Sequence, residues 1–327
     1  MNILVTGGLG FIGSNFIRYM FNNYDDVNII NVDKCGYASN RENTKDFRDA
    51  YKTSKYFEYY NTDINDKSLN SLLYLNRGYI DYFVNFAAET HVDNSISNPD
   101  IFIQSNIVGT QRLLELARKY KVKRFLQIST DEVYGSLGET GSFTEESPLK
   151  PSSPYSASKT SADLIALSYY HTFGLDVVIT RCSNNYGPYQ FPEKLIPLMI
   201  LNALQDRPLP VYGTGNNVRD WIHVEDHCAA VAKVLFEGKA GEVYNVGSNN
   251  ERKNIEIVEI ILKQLGKPKS LIKYVEDRNG HDWRYAIDSS KIHDTLGWSP
   301  KHTFESGIKE TIDWYVNNKT WWEKLIK

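Results

Sequence analysis

The chain has 327 residues, 41% of them apolar, and a formal net charge of -3. That is enough to bury a large core, as one α/β domain or a domain with a lobe. Acids and bases are mixed along the chain, so no basic run suggests nucleic acid and no acidic tail suggests disorder. Cys35, Cys182 and Cys228 are scattered without CxxC spacing, which suits a reducing compartment. The N-terminus enters a glycine loop without the basic start and apolar stretch of a signal peptide, and no apolar run is long enough for a bilayer. The expectation is a soluble cytoplasmic protein with no membrane or nucleic-acid partner.

Taken in order, Ile3–Val5, Asn28–Val32, Tyr82–Phe86, Arg124–Ser129 and Val177–Arg181 read as buried strands. Gly13–Asn22, Asp66–Leu75, Ser105–Lys119 and Ser158–Thr172 carry helical apolar spacing between them. Such alternation predicts right-handed βαβ units and a doubly wound parallel sheet of Rossmann type. After about Asn185, loops such as Tyr212–Asn217 and Asp277–Asp282 break the regularity, while Glu242–Val246 reads as a strand rejoining the sheet. The expected division is a dinucleotide-binding domain over 1–185, rejoined at about 220–248, and a smaller substrate-binding lobe over 186–327. Ligands of such folds sit beyond the carboxyl ends of the strands.

The first strand runs into Gly7, Gly10 and Gly13, spaced GxxGxxG, with Phe11 and Ile12 between. Glycines permit a tight turn and close backbone approach to a pyrophosphate, which then meets the positive end of a helix. The pattern alone is weak; here it follows a strand, precedes a helix, and has Asp33 about 20 residues on. A carboxylate there binds ribose hydroxyls and repels a 2′-phosphate, favouring NAD, while Lys34 leaves NADP open. Asp63 and Ile64, after another short strand, frame an adenine or simply end that strand.

Tyr155 and Lys159 lie one helical turn apart on one face. Positive charge near the phenol should favour phenolate, which can take a proton from a sugar hydroxyl. A YxxxK pair by itself is common on surfaces. The Ser129-Thr130 pair upstream, at the end of a strand, supplies the expected hydroxyl partner. With the glycine loop, this set resembles the extended short-chain dehydrogenase/reductase superfamily. Asp131 and Glu132 then follow Thr130. They are either a solvated pair at a strand end or an acid and a base with pKa values pushed apart. Epimerisation at one carbon needs no such pair; elimination of water between neighbouring carbons does.

The whole chain resembles the dTDP-glucose 4,6-dehydratase family. The resemblance rests on Gly7–Gly13, Phe86–Asp93, Ser129–Gly135, Tyr155–Lys159, Cys182–Pro188, Phe191–Pro197, Asn217–Trp221 and Asp277–Asp282. It implies NAD as cofactor, a dTDP-glucose substrate and a homodimer. It implies that Thr130 and Tyr155 contact the C4 hydroxyl, with Tyr155 as base. Asp131 would be the acid that expels the C6 hydroxyl, Glu132 the base at C5, and Lys159 the residue holding the ribose. Gly7, Gly10, Phe11, Ile12, Gly13, Asp33, Lys34, Asp63, Ile64, Phe86, Ala87, Ala88, Ser105 and Asn185 would also touch the cofactor. Thr90, Asn184, Lys194, Leu195, Pro210, Tyr212, Arg219, Asn254, Asp277, Arg278 and His281 would hold the nucleotide sugar. Arg219 suits a diphosphate by bidentate donation, or else forms a surface ion pair. No metal site is implied.

Thr90, Asn94, Asn279 and Trp283 depart from the family pattern on the nucleotide side, which puts the base preference in question rather than the reaction. UDP- or CDP-glucose dehydration therefore stays open. A nucleotide-sugar epimerase or a UDP-glucuronate decarboxylase would share the loop, Tyr155 and Lys159. A non-catalytic NAD-binding scaffold is the alternative of another class; such proteins lose the tyrosine or lysine that are present here.

Overall fold

The computed structural model describes residues 1–48, 56–76, 79–277 and 282–326. Twelve strands are present among them: β1 (Asn2–Thr6), β2 (Asn28–Val32), β3 (Tyr56–Tyr60), β4 (Tyr82–Asn85), β5 (Arg124–Thr130), β6 (Val177–Cys182), β7 (Asn184–Tyr186), β8 (Leu209–Tyr212), β9 (Val218–His223), β10 (Val243–Val246), β11 (Glu251–Lys253) and β12 (Ile272–Val275). Seven form one sheet in the order β10-β6-β5-β4-β1-β2-β3, with every neighbouring pair parallel. The order reverses between β1 and β4, the position where such sheets open a crevice for ligands. The predicted return to the sheet is made by β10 against β6.

Strand alternation divides the core. Ile3, Val5, Leu126, Ile128 and Val178 point into one apolar layer, and Leu4, Phe125, Val177 and Ile179 into the other. Because both faces are covered, the strands read as continuous apolar runs rather than alternating ones. A third cluster, with Ile196, Met199, Trp221, Ile257, Phe304 and Tyr315, lies in the later chain beside two small sheets, β11-β9-β7 and β12-β8. Trp321 ties that region back, its indole Nε1 donating to Asn43 Oδ1 at 2.8 Å. No helix among the described residues is long and apolar enough to cross a membrane.

Two helices differ from expectation in ways that matter for the site. The one predicted from Ser158 begins at Pro154 and runs to Phe173. Pro154 pre-sets the first turn, and Ser153 and Ser156 exchange side-chain and backbone hydrogen bonds as a capping box. Tyr155 and Lys159 thus both lie on it. The segment predicted as a regular helix from Ser105 is instead wide-turned over Ile103–Gly109, then α-helical over Thr110–Tyr120. Within the wide turn, buried Asn106 accepts from Glu89 N at 2.8 Å and donates to Glu89 O at 3.0 Å and Ser158 Oγ at 2.8 Å. Apolar spacing carries no mark of such a local change of pitch.

The Pro154–Phe173 helix is locked to the sheet by a charge pair with almost no solvent contact. Arg181 Nε on β6 lies 2.9 Å from Asp163 Oδ2, with the side chains 3% and 0% exposed. Arg181 Nη1 also donates to the Tyr134 hydroxyl at 2.9 Å, which donates to Asn245 Oδ1 on β10 at 2.8 Å. Removing one partner leaves an uncompensated buried charge. Arg181→Met should therefore lose about 3–5 kcal/mol of stability, read from urea unfolding. A loss below about 1 kcal/mol would show that the pair does not lock the helix to the sheet.

Candidate active site

The cleft is built at the strand ends. Gly7, just past β1, has φ +71°, and a Cβ there would sit 2.7 Å from the backbone nitrogen of Ala87. A Cβ at Gly13 would sit 2.4 Å from the Gly7 carbonyl oxygen. Glycine at these two positions lets the loop, the end of β4 and the helix Phe11–Asn23 come together. Gly10 brings no side chain to cap that helix, so its N-terminal amides face the cleft side with their dipole.

At the end of β2, Asp33 is buried. Its Oδ2 accepts from Leu9 N at 3.0 Å, and its Oδ1 accepts from Cys35 N at 2.8 Å and Ser39 Oγ at 3.1 Å. Burial raises its pKa, and these hydrogen bonds offset part of the rise. The Lys34 ammonium stands 3.3 Å from Glu89 and 3.5 Å from Asp63. Desolvation works against its charge, but the two carboxylates prevail and its pKa is raised.

The reactive groups converge from β5 and the Pro154–Phe173 helix. Thr130 ends β5 and caps the short turn Asp131–Tyr134, its Oγ1 accepting from Glu132 N at 3.3 Å. The same hydroxyl donates to Asp131 Oδ1 at 3.2 Å, while Asp131 Oδ2 is buried with no hydrogen-bond partner among the described residues. Burial, then the charges of Glu132 and Asp220, push the Asp131 carboxyl well above its usual range, against Arg219. Asp131 is 2% exposed, so the solvated-pair reading does not hold for it.

The Lys159 ammonium donates to Ile128 O at 2.6 Å, and burial lowers its pKa against the pull of Asp163. Tyr155 is pushed well above the ordinary phenol value by burial, then by Glu132 and Cys182, with the Thr130 hydroxyl opposing. The expected easing of Tyr155 ionisation rested on an ammonium together with a nicotinamide ring; the protein's groups alone favour the phenol. The dominant nearby charges are negative, and Lys159 is engaged with a backbone carbonyl.

One cavity is lined by Gly7, Gly10, Phe11, Ile12, Gly13, Asp33, Lys34, Asp63, Ile64, Phe86, Ala87, Ala88, Ser105, Thr130, Asp131, Glu132, Tyr155, Lys159 and Asn185. Of the residues expected to hold the sugar nucleotide, Thr90, Asn184 and Lys194 line it too. Leu195, Pro210, Tyr212, Arg219, Asn254 and Asp277 stand outside that lining. Arg278 and His281 lie outside the described residues. Arg219 is no surface ion pair: it is 5% exposed, donates to the carbonyls of Val218 at 2.8 Å and Asp282 at 2.9 Å, and packs 4.4 Å above the Tyr285 ring.

Sequence reasoning missed Tyr37, Ser39, Glu89, Ser183, Gln190 and Phe191, which also line the cavity. Tyr37 and Phe191 face each other with ring centroids 5.4 Å apart, and the Tyr37 hydroxyl bonds the Glu193 carboxylate. The turn carrying Tyr37 depends on positive φ at Cys35 and Ala38, residues that give no turn signal. Glu89 was legible inside the run Phe86–Asp93, but its role opposite Lys34 needed the fold.

Known proteins extend the comparison. A family model described as GDP-mannose 4,6 dehydratase matches residues 4–311. A dTDP-glucose 4,6-dehydratase of Xanthomonas campestris pv. campestris (strain B100) is 50% identical over 341 residues, covering 99% of this chain and 95% of that one. One from Neisseria meningitidis serogroup B is 48% identical, with 99% and 96% covered. The crystal structure of DesIV, a dTDP-glucose 4,6-dehydratase from Streptomyces venezuelae with NAD bound, matches at TM-score 0.94 and 47% identity, covering 99% of this chain and 100% of that one. With matches of this depth across its length, the chain belongs to the dTDP-glucose 4,6-dehydratase family.

Proposed function

We propose that this chain converts dTDP-glucose to dTDP-4-keto-6-deoxyglucose and water, with NAD held in the cleft. The observation that carries the reading is Asp131. It is a buried carboxyl with a strongly raised pKa, next to Glu132 and hydrogen-bonded to Thr130. A simple epimerisation gives such a group nothing to do.

The residues fit a dinucleotide. The space that a Cβ at Gly7 or Gly13 would fill is backbone, so the loop can close around a pyrophosphate. Asp33, at the end of β2, would meet the ribose hydroxyls, and Asp63 and Glu89 flank Lys34. Three carboxylates at that end disfavour a 2′-phosphate. NAD, held by the glycine loop, Asp33 and Lys159, would supply a hydride acceptor for C4, a hydride donor for C6 and a positive ring that favours the Tyr155 phenolate.

The remaining steps belong to side chains. Tyr155, steadied by Thr130, takes the C4 hydroxyl proton, and the resulting ketone makes the C5 proton acidic. Glu132 removes that proton and gives it back to C5 when hydride reaches C6. Asp131, whose proton burial holds more tightly, donates to the departing C6 hydroxyl, which leaves as water. Lys159, anchored on Ile128 O, holds the ribose. In this scheme residues 1–185 and about 220–248 carry the cofactor, and the rest mainly grips the sugar nucleotide. Exposed Ile96, Ile101 and Ile103, with Leu164 and Phe173 on the Pro154–Phe173 helix, give an apolar surface suited to pairing two copies across a two-fold axis. Three free cysteines suit a cytoplasmic setting.

Substrate deuterated at C4 tests the scheme. The label should appear at C6 of a 4-keto-6-deoxy product with no NAD added in stoichiometric amount. An intact hexose, or inversion at C4, would overturn it; UDP-glucose run in parallel reads the base preference. Asp131→Asn and Glu132→Gln should each lower kcat by roughly 10²–10⁴-fold while leaving C4 oxidation detectable as transient NADH absorbance. Wild-type turnover in either variant would remove that residue from the mechanism.

A stability measurement checks the state of Asp131 independently. Its folded pKa is raised, so the folded state holds the proton more tightly than the unfolded chain. Native stability from this group is greatest at low pH and declines as pH rises above about 4, the unfolded value. Asp131→Asn removes the decline. Its stability relative to wild type should climb from acid to neutral pH in urea unfolding, and a flat difference would show that the carboxyl is not shifted upward.

A further inference from the structure

Away from the cleft, three side chains meet where β9 ends and the helix Phe304–Asn317 begins. His223, His302 and Glu310 place one ligand atom each within 4.8 Å of one another. His223 is 4% exposed, and neither of its ring nitrogens has a hydrogen-bond partner among the described residues. A buried imidazole with both nitrogens unsatisfied is costly and calls for an explanation.

The second histidine is oriented. His302 Nδ1 lies 3.0 Å from Asp226 Oδ2, and that carboxylate also accepts from the backbone nitrogens of His302 at 2.9 Å and Lys301 at 3.0 Å. An imidazole that donates through Nδ1 to a carboxylate presents Nε2 as its lone pair, the arrangement that supports metal-bound histidines. His302 Nε2 faces Glu310 Oε2 at 3.5 Å, and the His223 and His302 rings lie 4.1 Å apart between centroids. Glu310 reaches in from the solvent side, with its side chain 59% exposed, leaving access for a water molecule.

We propose that His223, His302 and Glu310 form a binding site for a divalent cation of the zinc type, with Asp226 orienting His302 from behind and solvent as fourth ligand. Two imidazoles and one carboxylate match the donor preference and tetrahedral geometry of zinc. None of the four residues lines the cleft. The cation would pin the Phe304–Asn317 helix, which carries Phe304, Ile308, Ile312 and Tyr315 of the later core, to the end of β9. Its role is structural rather than catalytic.

The test uses the untagged full-length protein, stripped with a chelator and titrated with Zn²⁺ or Co²⁺. About one equivalent of Zn²⁺ should bind per chain, and Co²⁺ should give the intense visible absorption of a tetrahedral site. Zn²⁺ should raise Tm by a few degrees without changing turnover. Glu310→Gln, at an exposed position that keeps the fold, and His302→Ala should each weaken binding by roughly tenfold or more and abolish the Tm rise. Absence of stoichiometric binding would overturn the proposal, as would binding that both variants leave unchanged.

Discussion

The reactive centre depends on one buried ion pair. Arg181 on β6 and Asp163 on the Pro154–Phe173 helix meet with almost no solvent, and Asp163 sits one turn beyond Lys159. The pair fixes how that helix lies across β5 and β6. Tyr155 and Lys159 take their places from the helix, and Thr130 and Asp131 take theirs from the end of β5. A buried pair of this kind is weak evidence of stability gained, because desolvation consumes much of the attraction. Its contribution here is register: the Tyr134 and Asn245 hydrogen bonds extend the constraint to β10.

The same dryness sets the chemistry. Tyr155, Lys159, Asp131 and Cys182 are all driven towards their neutral forms by burial, Cys182 to about 12. The protein therefore presents protonated acids and leaves the matching positive charge to come from outside. A lysine beside a tyrosine would suggest a phenolate held ready; the protein's groups alone favour the phenol, so its ionisation calls on charge from the cofactor. Burial outweighs proximity at this site because the charges nearest the phenol are acidic.

Much of this was legible in the sequence. The glycine spacing, the β-branched runs and the pairing of Tyr155 with Lys159 each have a short-range physical cause, so they survive translation into three dimensions. Asp131 and Glu132 were visible as a pair, but burial splits them, and burial depends on where β9, which carries Arg219 and Asp220, falls. The small sheets of the later chain, β11-β9-β7 and β12-β8, were not legible. Their strands are three to six residues long and leave little pattern. The turn at Cys35–Ala38 was hidden for a related reason: non-glycine residues with positive φ depend on surroundings that the local sequence does not record.

The wide turn at Ile103–Gly109 has a consequence for insertions and deletions. A helix of expanded pitch stores extra chain relative to a regular one of the same rise. Excising one residue there would let the segment close to regular pitch with its flanks in place, at the cost of the expanded turn that seats Asn106. Asn106 would then leave Glu89 and Ser158, and the strand-end loop carrying Glu89 would lose its tie to the tyrosine helix. Length variation is tolerated mainly in exposed loops; here the extra residue of the turn is part of the active-site architecture.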